Sequence, residues 1–223
     1  VILYDETIGQ ADDSGEPFAD VLKAKGIIPG IKVDMGAKDL ALHEGEKMTE
    51  GLDGLRERFA DYAKMGAGFA KWRAVITISG DELPSRASIE ANAQSLAMYS
   101  ALAQEAGIVP MVEPEVLMDG DHDIETCYEV TEVVLRSLFD ALYNQNVMLE
   151  GTILKASMVV PGKGCEEQAS VEEVAESTLM CLKSAVPAIL PPRNILLKPC
   201  RNRVTPATAR RMSMIVSNSV ELT

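Results

Sequence analysis

Short apolar runs alternate with helical patterns along most of this 223-residue chain. The strand-like runs occupy residues 1–5, 27–34, 69–78, 108–116 and 147–158, and the helical patterns occupy 17–25, 52–65, 84–106, 123–146 and 171–185. Alternation of this kind is typical of parallel strands joined by right-handed helical crossovers. The sequence therefore predicts an α/β protein, either an open doubly wound sheet or a (β/α)8 barrel.

Charged residues then favour the barrel. No GxGxxG follows the first strand and no GxxxxGK[ST] occurs, so nucleotide-binding open sheets lose support. Pairs of charges two positions apart lie near the ends of three consecutive strands: Lys32 and Asp34, Lys71 and Arg73, Glu113 and Glu115. Residues i and i+2 share one face of a strand, and barrel enzymes build their sites where parallel strands end. One such pair could lie on a solvated face, but parallel strands are normally covered on both faces, so three pairs indicate a site.

Lys155 is the candidate nucleophile of that site. It follows Ile153 and Leu154 in an apolar run, and such surroundings disfavour the charged form of an amine. An amine that is neutral part of the time can attack a carbonyl group and form a Schiff base. Glu113 is the candidate proton carrier, because a partly buried carboxylate near cations can be tuned towards neutral pH.

The other charged strand residues are assigned supporting roles. Glu115 would hold Lys71 or Glu113 in place, and Lys71 would be a cation beside the reacting amine. Arg73 and Lys32 remain as anion binders, since guanidinium and ammonium groups both bind phosphate. The predicted catalytic set is therefore Lys155, Glu113, Glu115 and Lys71, with Arg73 and Lys32 binding phosphate.

Composition excludes several other classes of function. The net charge is −13, although residues 189–223 contain six basic residues and one acidic residue. So acidic a chain argues against nucleic acid and against an anionic membrane surface as partners.

The four cysteines show no CxxC spacing, which is typical of a reducing compartment such as the cytoplasm. A cation beside His122, with Asp119, Asp121 and Asp123, is the one metal alternative, but such acidic stretches more often form turns and helix caps.

Seven motifs carry a resemblance to a known family. They are VILYDET (1–7), GIKVD (30–34), GLDGL (51–55), FAKWR (69–73), GIVPMVEPE (107–115), DGDHD (119–123) and LEGTILK (149–155). In this order they closely resemble class I fructose-1,6-bisphosphate aldolase over residues 1–188. The resemblance implies a partial (β/α)8 TIM barrel, about strands two to six of eight. It also implies a lyase of glycolysis that cleaves its sugar into dihydroxyacetone phosphate and glyceraldehyde 3-phosphate.

The same resemblance assigns roles residue by residue. Lys155 matches the Schiff-base lysine, and Glu113 matches the proton acceptor and dehydration catalyst. Glu115 matches the second carboxylate, and Lys71 matches the lysine close to the scissile bond. Arg73 and Lys32 match residues that hold the far phosphate. The family uses no metal and no organic cofactor and forms homotetramers.

Two departures from the family qualify these expectations. The chain opens on Val1 rather than Met, in mid-strand, which indicates a fragment from which the family's first strand is missing. Residues 189–223 lack the family's Ser-Gly-Gly phosphate loop and are expected to form an irregular basic tail. The chain alone is therefore expected to be weakly active or inactive, and a non-catalytic aldolase-like interaction protein is the alternative. A cytoplasmic location is expected, with a plastid left open.

Overall fold

A parallel sheet of six strands organises the chain. The computed structural model describes residues 1–80 and 82–198. The strands within them are β1 (Ile2–Leu3), β2 (Gly30–Lys32), β3 (Ala37–Asp39), β4 (Lys47–Thr49), β5 (Phe69–Ile76), β6 (Val109–Val116), β7 (Ile153–Ala156) and β8 (Ile195–Leu197). The sheet order is β1-β2-β5-β6-β7-β8, and a two-stranded antiparallel ladder, β3-β4, lies beside it.

Helices connect the parallel strands, as the alternating pattern predicts. They are α1 (Asp5–Ile8), α2 (Phe18–Ala24), α3 (Leu55–Lys64), α4 (Arg86–Glu105), α5 (Ile124–Asn144) and α6 (Val171–Ala185), with 3-10 turns at Leu149–Gly151 and Pro192–Asn194. Helix α6 begins at a capping box, in which Ser170 and Glu173 bond each other's backbone amides. The α/β fold class and the partial barrel are confirmed.

The core lies between the sheet and the longer helices. Trp72 of β5 and Tyr99 of α4 are fully buried, and their rings stack with centroids 5.5 Å apart. The Tyr99 hydroxyl group accepts a hydrogen bond from the Met111 amide at 2.8 Å and lies 2.8 Å from the Ala70 carbonyl oxygen. A helix side chain thus ties together β5 and β6, the two strands with the longest shared ladder.

Proline residues do not interrupt β6. Pro114 lies between the two glutamates, yet the register runs one-to-one from Phe69↔Val109 to Ile76↔Val116 without a bulge. The Val109 amide donates to the Gly68 carbonyl group just before β5, and the Leu117 amide donates to that of Ile76, so odd-numbered amides of β6 face β5. Pro110 and Pro114 therefore lack only donors that would face β7, whose ladder with β6 is confined to Met111 and Val112.

The expected irregular tail is wrong for the residues nearest the barrel. Ile195–Leu197 form β8, which pairs in parallel with β7 through Leu154↔Ile195, Lys155↔Leu196 and Ala156↔Leu197. The Asn194 side chain anchors the strand by donating to the carbonyl groups of Glu150 and Thr152. The sheet thus has a sixth parallel strand where only five were predicted. Residues 199–223 lie outside the described residues.

Candidate active site

The carboxyl ends of the central strands meet at a cleft of about 720 Å³. Five of the predicted site residues line it: Lys71 and Arg73 from β5, Glu113 and Glu115 from β6, and Lys155 from β7. They share one face because each strand contributes residues two positions apart. The ladder places Arg73 opposite Glu113, so cations and carboxylates alternate across neighbouring strands.

Glu113 is held among lysine side chains. Lys155 Nζ donates to Glu113 Oε1 at 2.7 Å, and Lys71 Nζ lies 3.3 Å from Oε2. The Glu113 side chain is only 3% exposed, whereas that of Lys155 is 26% exposed at the cleft surface. The amine therefore points at the first carboxylate of the VEPE motif, and it lies at the border of solvent rather than in a dry interior.

Glu115 is bound from two sides. Arg73 Nε donates to Glu115 Oε2, and Lys198 Nζ donates to Oε1. Burial opposes ionisation of this carboxyl group, but the hydrogen bonds from Arg73 and Lys198 outweigh it and hold the pKa of Glu115 below its ordinary value. Glu115 is therefore a carboxylate at neutral pH, and it fixes the guanidinium group of Arg73 in the cleft wall.

Lys32 does not line this cleft. Its Nζ lies 2.6 Å from Asp34 Oδ1 and donates to the Asp34 carbonyl oxygen at 2.7 Å. The other carboxylate oxygen of Asp34 lies 3.6 Å from Lys71 Nζ. Asp34 is thus a buried bridge between the two lysines, and of the two predicted phosphate-binding residues only Arg73 faces the cleft.

Two loops that follow β6 and β7 form a further wall. Their backbones are joined by hydrogen bonds from Lys163 N to Met118 O and from Gly162 N to His122 O, each 2.8 Å long. A side chain on Gly162 would overlap the carbonyl group of Gly120, so the loops can approach this closely only with glycine there. Lys163 Nζ lies 2.7 Å from Asp119 Oδ1, and both residues line the cleft.

Sequence reasoning missed several residues at the site. Asp34 has no predicted role, and its position two residues after Lys32 on the same strand face is the only sequence signal for it; the structure shows it buried beside two lysines. Lys198 fell within the segment assigned to the tail. Asp119 had been considered only for a metal site, and Lys163 had no signal beyond the charge itself.

The described residues offer no obvious metal centre. In the stretches 1–80 and 82–198, no cluster of three or more His, Cys, Asp or Glu side chains is arranged to hold an ion, and the acidic stretch around His122 is no exception. Among the helices of these stretches, none combines the length and apolarity needed to cross a membrane.

Known proteins share this fold and sequence. The family model for class I fructose-bisphosphate aldolase, a glycolytic family, matches residues 1–197, beyond the predicted limit of 188. A probable fructose-bisphosphate aldolase class 1 from Xanthomonas campestris is 72% identical over 190 residues, which cover 85% of this chain and 57% of the relative. Fructose-bisphosphate aldolase C from Mus musculus is 51% identical over 191 residues, covering 86% and 52%.

A solved structure agrees with these relatives. Fructose-bisphosphate aldolase from Plasmodium falciparum, in a complex with TRAP and a small-molecule inhibitor, superposes with a TM-score of 0.89 and 39% identity. The match covers 98% of this chain and 62% of that one. The chain spans little more than half the length of the curated relatives it matches. On the family match and these identities, the chain belongs to the class I fructose-bisphosphate aldolase family.

Proposed function

We propose that this chain carries the Schiff-base chemistry of a class I fructose-1,6-bisphosphate aldolase. The reaction is the reversible cleavage of the sugar bisphosphate to dihydroxyacetone phosphate and glyceraldehyde 3-phosphate. The contact between Lys155 Nζ and Glu113 Oε1, 2.7 Å long, is the observation that carries this proposal. It places a nucleophilic amine and a proton carrier within direct transfer distance, which is the geometry that imine formation needs.

The steps follow from these two groups. Lys155 passes a proton to Glu113 and attacks the ketone carbon, and the carbinolamine then loses water when Glu113 returns a proton to the departing hydroxyl group. The resulting iminium group accepts the electron pair released when the central carbon–carbon bond breaks. Glu113 removes the proton from the hydroxyl group that becomes the aldehyde. Bond cleavage leaves an enamine on Lys155, and the proton that Glu113 has taken up passes to the enamine carbon and regenerates the iminium group. Hydrolysis of this iminium group releases dihydroxyacetone phosphate and returns Lys155 to the amine.

The remaining cleft residues orient an anionic substrate. Lys71 lies beside Glu113, where its positive charge can stabilise negative charge that develops during bond cleavage. Arg73 is 41% exposed on its side chain and can contact a phosphate group, although Glu115 occupies its Nε. Lys163, 53% exposed at the rim, is a second cation within reach of a phosphorylated ligand.

Reductive trapping tests the chemistry directly. The 223-residue chain is mixed with dihydroxyacetone phosphate, reduced with borohydride and mapped by mass spectrometry. An adduct on Lys155 that is absent from a Lys155→Met variant supports the proposal. A folded chain without any adduct refutes it and favours the non-catalytic interaction protein instead.

Cellular location and assembly extend the proposal. We propose a reducing compartment such as the cytoplasm, since Cys127, Cys165 and Cys181 are free thiols.

A homotetramer is proposed from the family resemblance. Exposed apolar side chains on the outer helices, such as Val133 and Met180, are suited to contacts between subunits. Light scattering during size-exclusion chromatography measures the mass, and a monomer at micromolar concentration would contradict the tetramer.

A further inference from the structure

Lys198 enters the cleft from the position immediately after β8, one residue beyond the family match. Its backbone amide donates to the Ala156 carbonyl group at 2.8 Å, which continues the β7–β8 ladder by one residue. Leu196 is opposite Lys155 in that ladder, and Lys198 lies two positions further on the same face. The side chain is thereby directed into the cleft by strand geometry, and it lines the cavity.

The ammonium group of Lys198 contacts both glutamates of β6. Its Nζ donates to Glu115 Oε1 and lies 3.7 Å from Glu113 Oε1. The latter oxygen is the one that accepts the hydrogen bond from Lys155. Among the cations in the described part of the chain, Lys198 is therefore the one that contacts both carboxylates. Arg73 Nε pairs with Glu115, and Lys71 pairs with Glu113.

Without such a cation the two carboxylates would disturb each other. Glu113 and Glu115 lie on one face of β6, and like charges that share a site favour protonation of one of them. A protonated Glu115 could donate to Glu113 and compete with Lys155 for that carboxylate. The other charges that face the pair are Lys71 and Arg73 from β5, Lys155 from β7 and Asp34 after β2, whose own charge is negative.

We propose that Lys198 is a positioning residue of this site. Its ammonium group bridges Glu115 and Glu113, so that Glu113 stays available as the hydrogen-bond acceptor and proton carrier for Lys155. The proposal deepens the Schiff-base function and rests on it. Lys198 acts through the two carboxylates rather than on the reacting atoms. Lys198, one residue beyond the family match over residues 1–197, thus completes the electrostatics of a site built by the family motifs.

Carbon-13 NMR of chains labelled at the glutamate carboxyl carbons tests the bridge without requiring activity. Lys198→Met should raise the ratio of protonated to ionised Glu115 about tenfold at a given pH within its titration, since a contacting opposite charge has an effect of that order. Lys198→Arg should restore the original titration. Lys163→Met is the matched control, because Lys163 pairs with Asp119 at the same cleft and should leave Glu115 unchanged.

The outcomes separate this inference from the proposed function. Unchanged Glu115 titration in Lys198→Met, or an equal change in Lys163→Met, overturns the inference. If Lys198→Met does not fold, Lys198→Gln replaces it with the same expectations, as the side chain is already 32% exposed. When adduct formation on Lys155 is measured against pH by borohydride trapping, the acidic limb of the profile should move to higher pH in the folded Lys198→Met variant. A chain that shows the NMR change but no Lys155 adduct at any pH would refute the Schiff base and retain the bridge.

Discussion

Replacing Tyr99 by phenylalanine removes one hydroxyl group from the contact between β5 and β6. The aromatic ring would keep its stacking on Trp72 and Phe59, whose centroids lie 5.5 and 6.3 Å away. The lost interactions are the hydrogen bond from the Met111 amide and the one donated to Ala70 O at 2.8 Å or Met111 O at 3.0 Å. The change is therefore close to a pure deletion of polar contacts in a fully buried position.

The expected cost follows from the burial of these groups. A buried polar group that loses its hydrogen-bond partner lowers the stability of the fold by about 1–3 kcal/mol. Part of this loss is offset here, because phenylalanine has no hydroxyl group to desolvate. We therefore expect Tyr99→Phe to lower the free energy of unfolding by about 2 kcal/mol. With a urea m-value of about 2 kcal/mol/M, the unfolding midpoint should fall by about 1 M.

Urea unfolding followed by circular dichroism measures this difference. Tyr143→Phe is the matched control, because the Tyr143 side chain is exposed and its variant should unfold at the original midpoint. A Tyr99→Phe midpoint equal to that of the control would refute the reasoning, since it would mean that the buried hydroxyl group contributes no net stability.

Three further predictions follow from the site and its surroundings. Glu113→Gln should slow borohydride-trapped adduct formation on Lys155 by about 10²–10⁴-fold, the usual contribution of a general acid–base group, and a rate within threefold of the original chain would contradict its role. Burial raises the pKa of Cys181 to about 12, so iodoacetamide at pH 8 should label Cys165 far faster than Cys181 in the folded chain, as peptide mapping would show; equal labelling contradicts this. Burial lowers the pKa of the His122 imidazole below 6.5, so the unfolded chain binds a proton at this side chain more readily than the folded chain does. Stability should therefore fall as the pH drops through 6.5, and His122→Gln should flatten that part of a urea-midpoint profile; an unchanged slope would be evidence against it.

The sequence was sufficient to predict the central strands and the position of the site. Period-two charges within apolar runs imply a shared face, and parallel strands imply a shared edge. Together these two rules predicted that Lys71, Arg73, Glu113, Glu115 and Lys155 would meet, as they do. Neither rule specifies which charge pairs with which, since that depends on register and side-chain reach.

The β3–β4 ladder was not predicted because its sequence lacks the usual strand pattern. Ala37–Asp39 is exposed along its length, and charged residues close the pairing at Lys47 and Asp39. Tertiary contacts hold it instead: Thr49 Oγ1 donates to Arg73 O at 2.7 Å, and Asn92 Nδ2 donates to Lys47 O at 2.8 Å. Contacts between residues so far apart in the sequence leave no periodic pattern in the local sequence.

The misreading of β8 had a different origin. The basic composition and the absence of family motifs indicated an irregular tail. The two prolines at positions 191 and 192 nevertheless precede the strand, where a missing amide donor is tolerated. Three aliphatic residues are too few to establish alternation, so pairing with β7 decides the conformation. Spacing alone did not reveal that Lys32 pairs with Asp34 instead of lining the cleft, and its assignment to phosphate binding stays a prediction.

The close approach of the loops after β6 and β7 also has a consequence for engineering this cleft. Asp119 and Lys163 project from the joined backbones with side chains 63% and 53% exposed, so libraries can vary both without disturbing packing. Gly162 permits no such freedom, because any larger residue collides with the backbone of Gly120. Randomisation of the two exposed positions, with the glycine kept, would therefore change ligand preference on a scaffold that stays fixed.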